Sequence, residues 1–210
     1  MRKGEETRRR ILEIAETAVL TKGFNGTSID GIIAEAGLTK SGFLYHFSDK
    51  SALAEALLER YVAQDEAIFD DVFSRADALS DDPLQAMLIA LNLFADLFDD
   101  LPGGHPGCMV AAVCYHERLF ARRVREVNRA ALMNWRRRFC TAFRAIAIRY
   151  PPRDEVSLDD LADMFTSIVD GGIIVSRALD EPRLLGAQMR LMRSYVKLLF
   201  SPPSTLPTPN

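Results

Sequence analysis

The sequence predicts an all-α protein of about nine helices. Apolar residues recur along it at intervals of three and four, the spacing of a helix that buries one face. Gly and Pro interrupt this pattern at intervals that suit helix ends, and no segment shows the strict apolar–polar alternation of a half-buried strand. The 210 residues, 48% of them apolar, suffice for a sizeable core.

The first four helices are predicted over residues 5–21, 27–36, 39–47 and from 48 or 49 onward. Their borders carry small polar residues, which cap helix N-termini, or glycines, which end helices. These border residues are Gly23, Thr27 or Ser28, Gly37, Thr39, and Ser48 or Asp49. We therefore expect a short three-helix head, followed by a long helix with Leu53, Leu57 and Leu58 on its apolar side.

Five further helices are predicted in the rest of the chain. Pro83 suits the first turn of the fifth helix, and a Pro- and Gly-rich stretch separates it from the sixth. The predicted ranges are about 83–101, 108–120, a long Arg-rich helix ending near 150, 158–179 and 182–200. The expected domains are residues 1–50 and 51–201, and the Pro-, Ser- and Thr-rich residues 202–210 are expected to be a disordered tail.

Composition narrows the class of protein. The formal net charge is −3, but the first fifty residues carry eight Lys and Arg against seven Asp and Glu, which permits a DNA-contacting N-terminal part and disfavours a polyanion-binding body. The three cysteines are too few for a disulfide framework, and no signal peptide pattern or bilayer-length apolar stretch is visible. We therefore expect a soluble, cytoplasmic protein without a membrane partner.

The segment 27–50 has the spacing of a helix-turn-helix, a DNA-binding motif in which the second helix enters the major groove. Phe43 and Phe47 lie four residues apart and would anchor that helix to the core. Lys40 and Ser41 would point outward, and Lys50 could contact a phosphate. Two short helices joined by a glycine also occur in many bundles, so spacing alone leaves both interpretations open.

Two stretches of this segment, 27–40 and 45–53, resemble the N-terminal domain of TetR/AcrR-type (tetracycline-repressor-like) transcriptional regulators. The resemblance is dense over residues 5–60, and beyond them it is one of helix number and order. It implies a homodimer that binds double-stranded operator DNA. By position, the implied contacts are Thr27, Thr39, Lys40, Ser41, Gly42, Tyr45, His46 and Lys50. Ser41 replaces the family's usual glycine and Leu44 its usual aromatic residue, so the bases read are not carried over.

Three polar residues of the body fall within or beside apolar helix faces: Asn92, Asn128 and Arg138. They could meet an enclosed ligand, or bond to the backbone, to water or to an acidic residue. The resemblance implies a small-molecule effector cavity, with a largely hydrophobic ligand. Its expected walls are Phe94, Phe98, Tyr115 and Trp135, together with Phe69 and Phe73, although aromatic residues at helical spacing also occur as plain core.

An arginine stripe is predicted along the seventh helix and just before it, comprising Arg118, Arg122, Arg125, Arg129 and Arg136. Such a stripe is typical of a solvated face that pairs with acidic residues, here those of the fourth and fifth helices, and less often of an anionic effector site.

A metal site is not expected at His105, Cys108, Cys114 and His116. Cys108 and Cys114 are six residues apart, which places them on different sides of a helix, and Cys114 and His116 do not share a face either.

The last two helices carry more apolar residues than one packed face requires. A two-fold dimer bundle would bury the surplus, and Gly171 and Gly172 in mid-helix would allow two backbones to approach closely. The expected dimer interface is Phe165, Ile168, Gly172, Ile173, Leu191, Tyr195 and Leu198.

Together these observations predict a homodimeric repressor that a small-molecule effector releases from its operator. The alternative is an effector-independent regulator or activator whose body only dimerises. No nucleophile–base pair, phosphate loop or zinc spacing supports an enzyme, and no cofactor is expected.

Overall fold

The computed structural model describes residues 3–116, 118 and 120–201, and all structural statements concern these residues. The predicted tail, 202–210, lies outside them. The described part folds into nine α-helices with no strand, which confirms the predicted fold class. They are α1 (Lys3–Gly26), α2 (Ile29–Ala36), α3 (Lys40–Leu44), α4 (Lys50–Leu79), α5 (Pro83–Asp99), α6 (Met109–Tyr115), α7 (Arg122–Arg149), α8 (Leu158–Leu179) and α9 (Leu184–Phe200).

Most predicted helix ends are confirmed, because local capping chemistry sets them. Asp82 accepts a hydrogen bond from the amide of Gln85 ahead of α5, and Ser157 does the same for Asp160 ahead of α8. α1 is interrupted at Gly23, whose φ of 70° lies in the left-handed region that glycine adopts without strain.

Two predicted helices are shorter than expected. α3 ends at Leu44 rather than near residue 47, because the amide of His46 donates to the carbonyl of Phe43 in a tighter turn. α6 ends at Tyr115 rather than near residue 120, since His116 leaves the helical region with φ −125° and ψ 24°. Residues 117 and 119 of that predicted span lie outside the described residues.

The chain divides into two compact units. The first contains the described residues up to Ala67 together with Pro106–Met133, and the second contains Ile68–His105 together with the described residues from Asn134 onward. Two of the three borders fall inside helices, α4 and α7, and the third lies between α5 and α6. These units are not the predicted ranges 1–50 and 51–201, whose division by function stays a prediction.

The core of the first unit is formed by the inward face of α1 and by side chains from α2, α3, α4, α6 and α7. It includes Ile11, Ala15, Val19, Phe24, Ile32, Phe43, Phe47, Leu57, Leu58, Val110 and Val124. Phe24 also meets Phe120 edge to face, with ring centroids 4.7 Å apart. The short helices α2 and α3 are thus attached to a core far larger than either could build alone.

The second unit has an aromatic core. Phe139 and Phe165 stack with ring centroids 4.2 Å apart, and Phe69 and Phe94 meet Phe165 edge to face. α5 packs along α9, where Gly186 allows the closest approach: a Cβ at this position would lie 2.7 Å from Cγ of Asp99. No helix in the described part of the chain is long and apolar enough to cross a membrane.

Candidate nucleic-acid interface

The helix α2 is held at both ends. The hydroxyl of Ser28 accepts a hydrogen bond from the amide of Gly31 at 3.0 Å. At the other end Gly37 has φ 60°, and its amide donates to the carbonyl of Ala34. Ile32 and Ala36 are buried, whereas Asp30, Ala34 and Glu35 lie on the other side of the helix. The turn after α2 is therefore fixed by backbone geometry that glycine adopts readily.

The helix α3 is positioned by a polar cap and an aromatic anchor. The Oγ1 atom of Thr39 accepts from the amide of Gly42 at 3.1 Å and lies 3.0 Å from the hydroxyl of Ser41. Phe43 and Phe47 are both buried, with ring centroids 5.8 Å apart. Burial of these two rings fixes which side of α3 faces solvent.

The solvent side of α3 carries the predicted reading residues. Lys40, Ser41 and Leu44 are exposed, and Tyr45, directly after the helix, is 83% exposed. The ring of Tyr45 stands edge to face on that of His46, which is half-buried. The ammonium of Lys40 forms no hydrogen bond or ion pair with any described residue. An amine, two hydroxyls and a leucine thus share one short exposed surface.

Thr27 and Lys50 occupy a different environment from these residues. Thr27 is buried, and its hydroxyl donates to the carbonyl of Gly23 at 2.9 Å. The ammonium of Lys50 donates to the carbonyls of Phe24 at 2.5 Å and Thr27 at 2.6 Å. Both side chains hold the junction of α1, α2 and α4 together, and this structural role was not predicted.

The N-terminal part of α1 also lies beside the residues that directly follow α3, which the sequence reasoning missed. The guanidinium of Arg8 lies over the ring of Phe47, 5.1 Å from its centroid. A Cβ at Gly4 would lie 3.9 Å from Cε1 of His46. The only sequence signal was the run of basic residues at 8–10, which shows charge but not position.

The predicted effector residues fall in both units. In the first unit the amide nitrogen of Asn128 donates to the carbonyl of Val110 and to the sulfur of Cys114. Its Oδ1 atom is buried and has no hydrogen-bond partner among the described residues. Tyr115 is exposed, not a buried wall.

In the second unit Phe94 and Phe98 are buried, and Asn92 is half-buried. The indole nitrogen of Trp135 is buried and has no partner among the described residues. Arg138 forms an ion pair with Asp70 at 2.6 Å and lies over the rings of Phe69 and Phe73. The pairing of Arg138 with an acid is one of the two alternatives that the sequence left open.

Two arginines of the stripe form ion pairs, and within the described part of the chain neither partner lies on α4 or α5. Arg136 pairs with Asp163 of α8, and Arg122 pairs with Glu126 one turn along α7. Two α7 arginines outside the stripe reach α4: Arg123 donates to Glu55 at 2.9 Å, and Arg138 pairs with Asp70. Among the described residues no three His, Cys, Asp or Glu side chains are grouped to hold a metal ion.

The predicted dimer residues separate into an inner and an outer set. Phe165, Gly172 and Ile173 are buried inside the protomer, where a Cβ on Gly172 would lie 2.6 Å from Cδ1 of Leu185. Ile168 is half-buried. The outer set is exposed and consists of Leu191, Tyr195 and Leu198 on α9, beside Ile174, Val175 and Leu179 on α8.

Known proteins resemble this chain most clearly at its N-terminus. Residues 11–57 match the family model of bacterial regulatory proteins, tetR family. The HTH-type transcriptional regulator TtgR of Pseudomonas putida is 33% identical over 99 residues, 46% of this chain and 45% of that protein. The HTH-type transcriptional regulator EthR of Mycolicibacterium smegmatis is 25% identical over 103 residues, 49% of this chain and 44% of that protein. The chain thus matches about half the length of these relatives.

Solved structures extend the likeness over the whole fold. A TetR transcriptional regulator from Chloroflexus aurantiacus has a TM-score of 0.77 and 26% identity, over 95% of this chain and 98% of that one. A TetR-family regulator from Agrobacterium tumefaciens shares the fold at a TM-score of 0.77 and 22% identity, over 92% of this chain and 98% of that one. Residues 11–57 thus match the tetR family of bacterial regulatory proteins, and the described part of the chain shares the fold of TetR regulators.

Proposed function

We propose that the protein is a homodimeric transcriptional repressor that binds operator DNA and is released by a small-molecule effector. The observation that carries the proposal is the exposed, rigidly anchored surface of α3 within the segment that matches the tetR family model. The relatives named above are transcriptional regulators by name. A protein that acts on the bacterial chromosome works in the cytoplasm, and we place this one there on that ground.

Within the head, we assign the groove and backbone contacts to the exposed residues. Lys40, Ser41 and Tyr45 would reach base edges and phosphates, and Thr39, Gly42 and His46 would approach the backbone. Arg8 joins them because its cation lies beside the ring of Phe47 at the edge of this surface.

Thr27 and Lys50 contribute chiefly by holding the head together, since the polar atoms of both are engaged by main-chain carbonyls. The ammonium of Lys50 has three N–H donors, so one remains for a phosphate.

The proposed dimer uses the exposed apolar face of α8 and α9. Leu191, Tyr195 and Leu198 recur at positions i, i+4 and i+7 and so share one side of α9. A Cβ at Gly171 would meet nothing within 4 Å, so packing inside the protomer does not require this glycine. Close approach of a second copy would account for it. A two-fold dimer then presents two α3 helices to sites about 34–36 Å apart on DNA.

The proposed effector is a largely apolar molecule with hydrogen-bonding groups. Its support is Nε1 of Trp135 in the second unit, a buried polar atom without a partner among the described residues, because such an atom costs free energy unless something bonds to it. α4 begins at Lys50, shortly after α3, so a ligand that displaces α4 would alter the spacing of the two α3 helices.

An effector-independent regulator or activator remains the second candidate. The observation in its favour is the dense aromatic core of the second unit, where Phe94, a predicted pocket wall, packs against Phe69 and Phe165. A body of this kind could serve dimerisation alone.

Selection of bound duplexes from a random DNA pool tests the proposal. We expect an enriched palindrome with half-sites one helical turn apart. A screen of metabolites for release of the purified protein from that site then separates the two candidates. Release by one metabolite supports the repressor with an effector. An enriched site from which no metabolite releases the protein favours the second candidate, and a pool without an enriched site would contradict both.

A further inference from the structure

We propose that Leu44 reads the 5-methyl group of a thymine in each half-site, and that Lys40 reads a guanine one or two base pairs away. The inference rests on the proposed DNA-binding function and gives it a chemical specificity. It concerns this chain's own residues, because Leu44 stands where the family usually has an aromatic side chain.

The helix α3 has a fixed orientation. Burial of Phe43 and Phe47 clamps one side of the helix to the core, and the Thr39 cap fixes its first turn. A helix held in this way presents the same side chains to whatever approaches it. Its exposed residues therefore meet the groove in a defined order.

Leu44 exposes apolar surface, whereas the other exposed side chains on this side of α3 are polar. The side chain is 47% exposed, and its exposed neighbours Lys40, Ser41 and Tyr45 carry an amine or a hydroxyl. The major-groove floor offers donors and acceptors, and its apolar group is the thymine methyl. A leucine placed there gains free energy from a thymine and none from a hydrogen-bonding base edge.

The spacing of Leu44 and Lys40 on α3 sets the distance between the two base pairs that they would contact. They lie four residues apart on one side of α3, about 6 Å along the helix axis. Base pairs are about 3.4 Å apart. The ammonium of Lys40 has no partner among the described residues, and lysine prefers the O6 and N7 acceptors of guanine. The guanine and the thymine should therefore lie one or two steps apart.

The test uses the operator obtained by selection and changes single atoms of the DNA. Each thymine is replaced in turn by deoxyuridine, which removes only the methyl group, and each guanine by 7-deazaguanine, which removes only the N7 acceptor. Affinities are measured by fluorescence anisotropy for the wild type, Leu44→Ala and Lys40→Ala. Ile148→Ala is the matched control, since Ile148 is also apolar and 87% exposed but lies on α7.

We expect one thymine per half-site at which deoxyuridine weakens wild-type binding about four-fold, the value of one buried methyl group. At that position Leu44→Ala should bind both probes equally, whereas Ile148→Ala should retain the four-fold difference. One or two base pairs away, 7-deazaguanine should weaken the wild type about five-fold and leave Lys40→Ala unaffected.

Three different results would contradict the inference, and one of them would also contradict the proposed function. If no deoxyuridine weakens wild-type binding, Leu44 reads no methyl group, and this result needs no folded variant. Equal sensitivity to deoxyuridine in wild type and Leu44→Ala also overturns the inference. In both cases the proposed function stands, because an operator has been selected. A pool that yields no operator overturns the proposed function, and the inference with it.

Discussion

The ammonium of Lys50 donates a hydrogen bond to the main-chain carbonyl of Thr27 at 2.6 Å, across 23 residues of chain. A second bond, to the carbonyl of Phe24, is 2.5 Å long. The first residue of α4 thereby fastens the segment between α1 and α2. Lys50 connects the long helix of the body to the geometry of the head, whether or not it also contacts DNA.

Replacement of Lys50 by methionine should lower the free energy of unfolding by about 2 kcal/mol. The change keeps much of the side chain but removes the charged donor from two part-buried carbonyls. Chemical denaturation monitored by circular dichroism measures the difference. Lys40→Met is the matched control, because that ammonium has no partner among the described residues, and it should change stability by less than about 0.5 kcal/mol. Equal stabilities of the two variants would show that the Lys50 bonds contribute nothing.

Replacement of Gly186 by alanine should destabilise the protein by about 1–3 kcal/mol, because it overpacks the contact between α5 and α9. The new Cβ would lie 2.7 Å from Cγ of Asp99 and 2.9 Å from the carbonyl oxygen of Ala95. Asp99 also pairs with Arg190, so its displacement disturbs an ion pair. Thermal unfolding tests the prediction. A variant at least as stable as the wild type would contradict the prediction, because α5 and α9 would then move apart without a loss of stability.

Aspartate at both Leu191 and Leu198 should convert the proposed dimer into a monomer. These residues are 61% and 63% exposed on one side of α9, and buried charges without partners strongly oppose association. Size-exclusion chromatography with light scattering reports the mass. Ile148→Asp places the same charge at an exposed apolar residue of α7 and should leave the dimer intact. A double variant of dimeric mass would show that the interface lies elsewhere.

Stability should fall as the pH drops from 6.5 towards 4, in part through His105. Burial, with a smaller effect of Arg177, lowers the pKa of His105 from 6.5 to about 4. Between these values the unfolded chain takes up the proton first, so acid favours unfolding; above pH 6.5 the imidazole is neutral in both states. The full effect is about 3 kcal/mol. In urea titrations at pH 7.5, 5.5 and 4.5, His105→Gln should lose less stability than the wild type. Parallel losses in the two proteins would contradict this assignment.

The sequence predicted those features that depend on a few adjacent residues. Ser28, Gly37 and Thr39 act as caps because their partners lie three or four positions away. α8 spans Leu158–Leu179, the range expected from the spacing of its apolar residues. The helix-turn-helix follows from the same short-range chemistry, as does the exposure of Lys40 and Ser41.

Long-range partners could not be predicted in this way. The carbonyls that engage Lys50 are 23 and 26 residues away, and an exposed basic side chain has the same sequence pattern as a tethered one. Phe165 and Leu191 were both expected at the dimer interface. Phe165 packs in the aromatic core, whereas Leu191 is exposed and remains part of the proposed interface. The spacing of apolar residues shows which of them lie on the same helix face, but it does not show what packs against that face.

The central claim is that α3 and the adjacent Tyr45 bind operator DNA. We would measure the affinities of the wild type, Lys40→Ala and Tyr45→Ala for the selected operator, with thermal unfolding of each protein alongside. Both residues are exposed, so the melting temperatures should stay close to that of the wild type, while each operator affinity should fall about tenfold. Wild-type affinity in both folded variants would contradict the central claim.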